Sequence, residues 1–316
     1  MSKKLAVIDL GTNTFQMIVA TQERTGFTIL FQKSTPSKIG KDGINRKVIT
    51  DDAIHRAVSI LADFEKELQR FEIFPKDVFV FGTSAVRNAA NQDEFIDRVR
   101  DQMGFSIRVI DGSTEAQLIY LGVREAVHLG ANPNLIMDIG GGSVEFIIAD
   151  QQDVFWKKSF EIGGQRLIER FVKSDPLSAA SRKHIFNFLD EQLIPLSNAI
   201  HQYAPQVLVG SSGTFETLAE MDHWNRLNDW PPAHQTGFDI PLEVFEKSRN
   251  LILSSDRAAR LSIPGMKELR VDLISVAVCL IEYIVNAYPI NRIKASRYSL
   301  KEGALSMFCN DNLNGT

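Results

Sequence analysis

The same local pattern opens each half of this 316-residue chain. Leu5-Ala6-Val7-Ile8 runs into Asp9-Leu10-Gly11-Thr12-Asn13-Thr14, and a largely apolar stretch, interrupted by Gln16, resumes over residues 15–20. Leu135-Ile136-Met137 runs into Asp138-Ile139-Gly140-Gly141-Gly142-Ser143, and a largely apolar second stretch, broken only by Glu145, follows over residues 144–149. Each copy reads as a buried strand, an Asp at its end, a tight turn of glycines and hydroxyls, and a second strand. Glycine lets backbone N–H groups come close to a phosphate, and hydroxyls add donors. The Asp beside such a turn is repelled by phosphate, but it can hold a Mg²⁺ that binds phosphate. Two copies, one heading each half, predict two related α/β lobes that share a phosphate-handling cleft.

The rest of the chain supports this duplication. In the first half, residues 54, 58, 61, 64 and 68 are apolar at helical spacing after Thr50. Short strands are expected at 78–81 and 107–110, with helices over 95–103 and 114–128. Gly130-Ala131-Asn132-Pro133-Asn134 reads as a linker. The second half restarts with three strands, ending near 154–160, and a strand at 207–209 leads into Gly210-Ser211-Ser212-Gly213-Thr214 and a helix. Residues 222–237, with Trp, Asn, Pro and His, read as irregular surface. Residues 270–287 read as one buried helix, 291–295 as a last strand, 299–308 as a final helix and 310–316 as a frayed tail.

Composition narrows the function classes. The chain is 44% hydrophobic and 23% charged, with a net charge of −4, as expected for a soluble globular protein. That charge argues against a partner such as nucleic acid or an acidic membrane covering the whole surface, while leaving room for a local basic cleft. Basic residues gather at Lys33, Lys38, Lys41, Arg46 and Lys47, expected on one loop, and at Arg292, Lys294, Arg297 and Lys301. The two cysteines, Cys279 and Cys309, form no zinc or disulfide framework, and the histidines form no metalloprotease or His-Asp pattern. Residues 271–285 are apolar but broken by Asp272 and Glu282, short for a membrane span. No signal-peptide pattern is read at residues 1–4, and the expectation is a cytoplasmic protein.

The two turns and the Gly210–Thr214 segment resemble the phosphate-1, phosphate-2 and adenosine motifs of the actin-like ATPase (ASKHA) superfamily. Three further segments resemble the exopolyphosphatase/guanosine pentaphosphate phosphatase (Ppx/GppA) family in its short two-domain form. They are Gly82-Thr83-Ser84-Ala85-Val86-Arg87-Asn88, Gly112-Ser113-Thr114-Glu115-Ala116-Gln117, and Leu300-Lys301-Glu302-Gly303. The resemblance runs from residue 5 to about residue 308. It implies two actin-like, ribonuclease H-like lobes. One would cover 1–130, joined by the C-terminal helix at 299–316, and the other 131–298.

The resemblance also implies roles. Glu115 would be the general base that orients and deprotonates the attacking water. Asp9 and Asp138 would hold Mg²⁺. Gly11, Thr12, Asn13, Arg87, Gly141, Gly142, Ser143, Gly213 and Thr214 would bind phosphate, Arg87 through its bidentate guanidinium. Glu145, two residues past Ser143, faces either the cleft or solvent. The chain departs from the family where Thr114 and Gln117 flank the catalytic Glu, and where Lys301 stands in place of the usual Arg. The expected activity is Mg²⁺-dependent hydrolysis of the terminal phosphoanhydride of inorganic polyphosphate. Alternatives are the 5′-phosphohydrolysis of guanosine pentaphosphate, an ATP-dependent kinase of the superfamily, or a non-catalytic sensor of alarmone or polyphosphate. The expected partner is the polyanionic substrate itself, and a homodimer is compatible with the reading.

Overall fold

The computed structural model describes residues 3–24 and 26–311. The predicted tail beyond 311 lies outside the described residues. In the first half, β1 (Lys4–Leu10), β2 (Thr14–Gln22) and β3 (Phe27–Pro36) form an antiparallel meander. Helix α1 (Asp51–Arg70) follows, its first turn capped by the Thr50 hydroxyl accepting from the Ala53 N–H. Its buried residues Ile54, Ala57, Leu61, Phe64 and Leu68 trace one face. Strand β4 (Val78–Gly82), the short α2 (Ser84–Arg87), α3 (Gln92–Met103), β5 (Ile107–Val109) and α4 (Gly112–Ala126) complete this half. The sheet order is β3-β2-β1-β4-β5, with β4 and β5 parallel to β1.

The second half repeats that order. Strands β6 (Asn134–Ile139), β7 (Val144–Ala149) and β8 (Val154–Phe160) form the meander. Helices α5 (Gly164–Phe171), α6 (Ala179–Gln192) and α7 (Ile194–Tyr203) follow, a helical region with no counterpart in the sequence-based expectation. Strand β9 (Val207–Ser211) leads into α8 (Ser212–Leu227). Then come β10 (Gly237–Ile240), α9 (Leu242–Ser254), α10 (Arg257–Leu261), α11 (Glu268–Val271), α12 (Ile274–Ala287), β11 (Arg292–Ser296) and α13 (Leu300–Asp311). The sheet order β10-β11-β9-β6-β7-β8 contains the first sheet's pattern with β10 added at the edge. The two halves thus share one sheet pattern, a meander followed by parallel strands.

Three expectations need correction. Helix α8 runs on to Leu227, so only the later part of 222–237 is irregular; the segment's first residue, Asp222, is still buried helix. The apolar run over 270–287 is two helices, α11 and α12, rather than one. Lys33 belongs to β3 and not to a loop, and it pairs with Asp63 and Glu67 of α1.

Each lobe has its own apolar core, and a third core lies between the sheets. It joins Val7 and Ile18 of the first sheet to Ile136 and Ile147 of the second through Ile119 and Val123 of α4 and Leu300 and Ala304 of α13. Helices α4 and α13 cross at glycines. A Cβ on Gly303 would sit 1.7 Å from the Leu118 carbonyl oxygen, and one on Gly122 would sit 2.0 Å from the Ser299 carbonyl oxygen. Only hydrogen at these Cα atoms allows that approach, which carries the chain's last helix back onto the first half. Among the described residues, no helix is long and apolar enough to cross a membrane.

Candidate active site

Both glycine turns open onto one cleft of about 420 Å³ between the sheets. The turns also touch each other. A Cβ on Gly142 would lie 2.5 Å from the Ser84 hydroxyl oxygen and 2.6 Å from that of Thr12. One on Gly141 would lie 2.9 Å from the Asn13 side chain. These two glycines therefore permit the lobes to meet as well as leaving N–H groups exposed to the cleft.

Glu115 stands in the first turn of α4, whose start is fixed by Asp111 accepting from the Thr114 N–H at 2.7 Å. It is buried, and its carboxylate accepts from Arg87 at 2.6 Å. Burial, opposed by Arg87 and reinforced by Asp138 and Glu161, pushes its carboxyl up to about 7. A carboxyl near neutrality is matched to accepting a proton from water at physiological pH.

Three more carboxylates crowd the floor. Asp9 ends β1, and burial with the charges of Glu115 and Asp138 pushes it up to about 8, against the pull of Lys301. Its Oδ1 is buried and has no hydrogen-bond partner among the described residues. Asp138 is also raised by burial, but Ser211 and Ser299 both donate hydroxyls to its Oδ2. Glu145 lies opposite Asp138 on β7 and accepts from the Ser159 hydroxyl at 2.6 Å. Burial, then Glu115 and Asp138, hold it well above the usual carboxylate range. It faces the cleft and not solvent.

Of the residues the sequence singled out, Asp9, Gly11, Thr12, Asn13, Glu115, Asp138, Gly141, Gly142, Ser143, Gly213 and Thr214 line this cleft. Gly213 and Thr214 occupy the first turn of α8 rather than a loop. The chain enters that helix through Ser212 in the left-handed region at φ 67°, an uncommon conformation for a serine. A Cβ on Gly213 would lie 2.5 Å from the Arg270 Nε, so that glycine makes room for Arg270 at the cleft wall. Arg87 is placed differently from the phosphate-binding role the resemblance implies. Its guanidinium is taken up by Glu115, by the Ile110 carbonyl at 3.1 Å and by Glu161 at 3.4 Å, and it is not part of the cleft lining.

The basic residues scatter. Lys38 pairs with Asp272 and Arg292 with Asp239, Lys294 donates to the His128 carbonyl, and Arg297 donates to carbonyls of 232, 233 and 235. Lys301 alone among the two clusters lines the cleft. Burial lowers its ammonium, but Glu302, Glu216 and Asp9 outweigh that and hold it above the usual lysine range.

Sequence reasoning missed several contributors. Glu161, just past β8, accepts from Ser84 at 2.8 Å, Asn88 at 2.9 Å and Arg166 at 2.7 Å, as well as from Arg87. Arg166 also donates to the carbonyls of Gly142 and Ile44. This network ties the second turn to the first half. Lys267 and Arg270 add cationic charge to the cleft wall opposite the turns, and Glu216 holds both. No local pattern marks them. The one available signal was the polar spacing of Lys267 and Arg270 before an apolar helix.

A divalent cation fits this site in a restricted way. Among the described residues, no three His, Cys, Asp or Glu converge as a ready metal cage. Mg²⁺, however, typically takes one or two carboxylates and fills its remaining positions with water and substrate phosphate. The partnerless Oδ1 of Asp9 and the crowding of carboxylates around it are what such an ion would relieve.

The model of the Ppx/GppA phosphatase family matches residues 17–309. The crystal structure of an exopolyphosphatase from Cytophaga hutchinsonii is 41% identical, covers 98% of each chain and superposes with a TM-score of 0.94. A relative from Haemophilus influenzae, provisionally named an exopolyphosphatase, is 27% identical over 96% of this chain and 90% of its own length. A guanosine-5′-triphosphate,3′-diphosphate pyrophosphatase from Photobacterium profundum is 29% identical over 70% of this chain, and the match spans only 44% of that protein.

Proposed function

The chain belongs to the Ppx/GppA phosphatase family, whose members hydrolyse phosphoanhydride bonds, and on that premise we propose that it is a Mg²⁺-dependent exopolyphosphatase releasing terminal phosphate from inorganic polyphosphate. The observation that carries this reading is the placement of Glu115, buried beside both glycine turns and held by Arg87 at 2.6 Å. The first half, 1–130 with the C-terminal helix, would supply Asp9, Gly11, Thr12, Asn13 and Glu115. The second, 131–298, would supply Asp138, Gly141, Gly142, Ser143, Gly213 and Thr214.

In this mechanism the turn N–H groups and hydroxyls orient the terminal phosphates, and Lys301 and Arg270 offset their charge. Glu115 Oε1 or Oε2 accepts a proton from the attacking water, while Arg87 holds the carboxylate in place. The attack is direct, with no covalent intermediate. Asp9 and Asp138 would hold Mg²⁺, which would neutralise charge on the transferred phosphoryl group. Arg87 acts here as a positioning residue for Glu115. The likeness over 98% of both chains to a structure described as an exopolyphosphatase supports polyphosphate as substrate. The cationic wall of Lys267, Arg270 and Lys301 suits a polyanion.

The test is phosphate release from polyphosphate, guanosine pentaphosphate and ATP in parallel, with and without Mg²⁺. Release from polyphosphate only with the metal is the expected result. Equal release after chelation, or release from ATP alone, would reject it.

A further inference from the structure

The floor of the cleft backs onto a second cavity of about 310 Å³, whose lining includes Arg87, Ser113, Lys157, Lys158, Ser159 and Glu161. At three places a single hydrogen-bonded pair separates the two spaces. Glu115 lines the cleft and Arg87 the second cavity, 2.6 Å apart. Glu145 lines the cleft and accepts from Ser159 of the second cavity at 2.6 Å. Ser84 lines the cleft and donates to Glu161 of the second cavity at 2.8 Å.

The second cavity is built for an anion. Lys157 and Lys158 follow each other on β8, the first half-buried and the second exposed. Neither pairs with a carboxylate among the described residues. Lys157 donates to the Gln117 side-chain carbonyl at 2.7 Å, and Lys158 lies over the Phe160 ring. Burial holds the Lys157 ammonium below the usual lysine range, against the pull of Asp111, and a bound anion would offset that cost. Glu161 is the carboxylate in this lining, and Arg87, Asn88 and Arg166 already occupy it.

In the reaction proposed above, the terminal phosphate is severed beside Glu115 while the shortened chain still lies along Lys267, Arg270 and Lys301. A chain held there obstructs the product's way back through the cleft. The proton of the attacking water passes to Glu115, whose carboxyl then carries no charge to hold Arg87. The partition is therefore weakest when the product forms. We propose that orthophosphate leaves through the Arg87–Glu115 pair into the second cavity, where Lys157 and Lys158 form its exit site. This rests on the phosphatase reading and adds to it a separate anion site, with orthophosphate as the ligand.

Product inhibition tests the route. An anion at the exit site can bind while polyphosphate fills the cleft, so orthophosphate should still inhibit at saturating polyphosphate and fixed ionic strength. Inhibition that saturating polyphosphate abolishes would overturn the proposal. Lys157→Gln combined with Lys158→Gln should raise the orthophosphate concentration for half inhibition by about tenfold, with KM for polyphosphate within about twofold of wild type. Unchanged inhibition in that chain overturns the site. Should the double variant fail to fold, Lys158→Gln alone, at an exposed position, should give a rise of about threefold, and no rise overturns the site equally. Calorimetry reads the same site without turnover. Glu115→Gln saturated with tripolyphosphate should still bind orthophosphate, and should lose that binding when both lysines are replaced. No binding in the presence of tripolyphosphate overturns the proposal. Lysine-dependent binding of orthophosphate by a wild-type chain that releases phosphate from nothing leaves the site standing and rejects the phosphatase reading instead.

Discussion

The two glycine turns are copies in topology but not in completion. Each follows a central strand, carries an Asp and leads into an antiparallel partner. Asp138 of the second turn has two serine hydroxyls on one oxygen, from β9 and from the residue before α13. Asp9 of the first turn has an oxygen with no partner and is pushed up to about 8. The chain carries the same scaffold twice, and elements later in the sequence satisfy only one copy. The second turn is organised by the protein alone. The first holds an unmet electrostatic demand, and a cation or a proton would meet it.

Replacing the base should have the largest effect and should spare both turns. Glu115→Gln is expected to lower turnover by at least ~10²-fold with folding and phosphate binding retained. Near-normal turnover in a folded variant would reject the assignment of Glu115, whatever the turns do.

The asymmetry itself predicts different responses at the two aspartates. Asp9→Asn should raise the Mg²⁺ concentration for half-maximal rate by about tenfold or more, and Asp138→Asn by less, because Ser211 and Ser299 keep the second turn in shape. The sign for stability is opposite. Asp9 and Glu115 are raised above their unfolded values of 3.8 and 4.5, so the folded chain binds protons more tightly there. Their contribution to stability is fully present below about pH 4 and is lost as pH rises through 7 to 8. In metal-free buffer at pH 8, Asp9→Asn should therefore raise the melting temperature by about 2 °C or more, and Mg²⁺ should narrow the gap. A lower melting temperature for this variant at pH 8 would end the claim that Asp9 is the unmet site.

Rate against pH offers a finer probe. The rate constant kcat/KM should rise with pH through an apparent value near 7 as Glu115 loses its proton. Arg87 lowers that value and Glu161 raises it, so Arg87→Gln should move the limb to higher pH and Glu161→Gln to lower pH. Identical profiles in both variants would separate the limb from Glu115.

The smallest expected effect sharpens the comparison most. Ser299→Ala removes one of two hydroxyls on Asp138 and should cost only about 1 kcal/mol of local stability and a few-fold in rate. Gly303→Ala is a harsher route to the same residue. Its Cβ would meet the Leu118 carbonyl oxygen at 1.7 Å, lifting α13 from α4 and destabilising the fold by about 1–3 kcal/mol. If the Ser299 variant matched Asp9→Asn in metal response, the two turns would be equivalent after all.

Much of the molecule was legible in the sequence because it is encoded locally. Apolar runs ending in Asp-x-Gly name the strand and the turn within a dozen residues, and the spacing after Thr50 names α1 and its buried face. The duplicated motif anticipated the paired sheets, and its residues do gather at one cleft. Other elements were misread where local signals were weak. The helical region over 164–203 has mixed polarity, and the tight break at 272–273 has no proline or glycine to announce it. What the tertiary structure alone decided is who meets whom. Arg87 lies 28 positions from Glu115, Ser84 lies 77 from Glu161, and Ser299 lies 161 from Asp138. Turns and strands arise from forces between near neighbours, so a sequence displays them. A carboxylate's partners, and hence its protonation, depend on which distant segments packing brings to it, and the chain acquires that information only on folding.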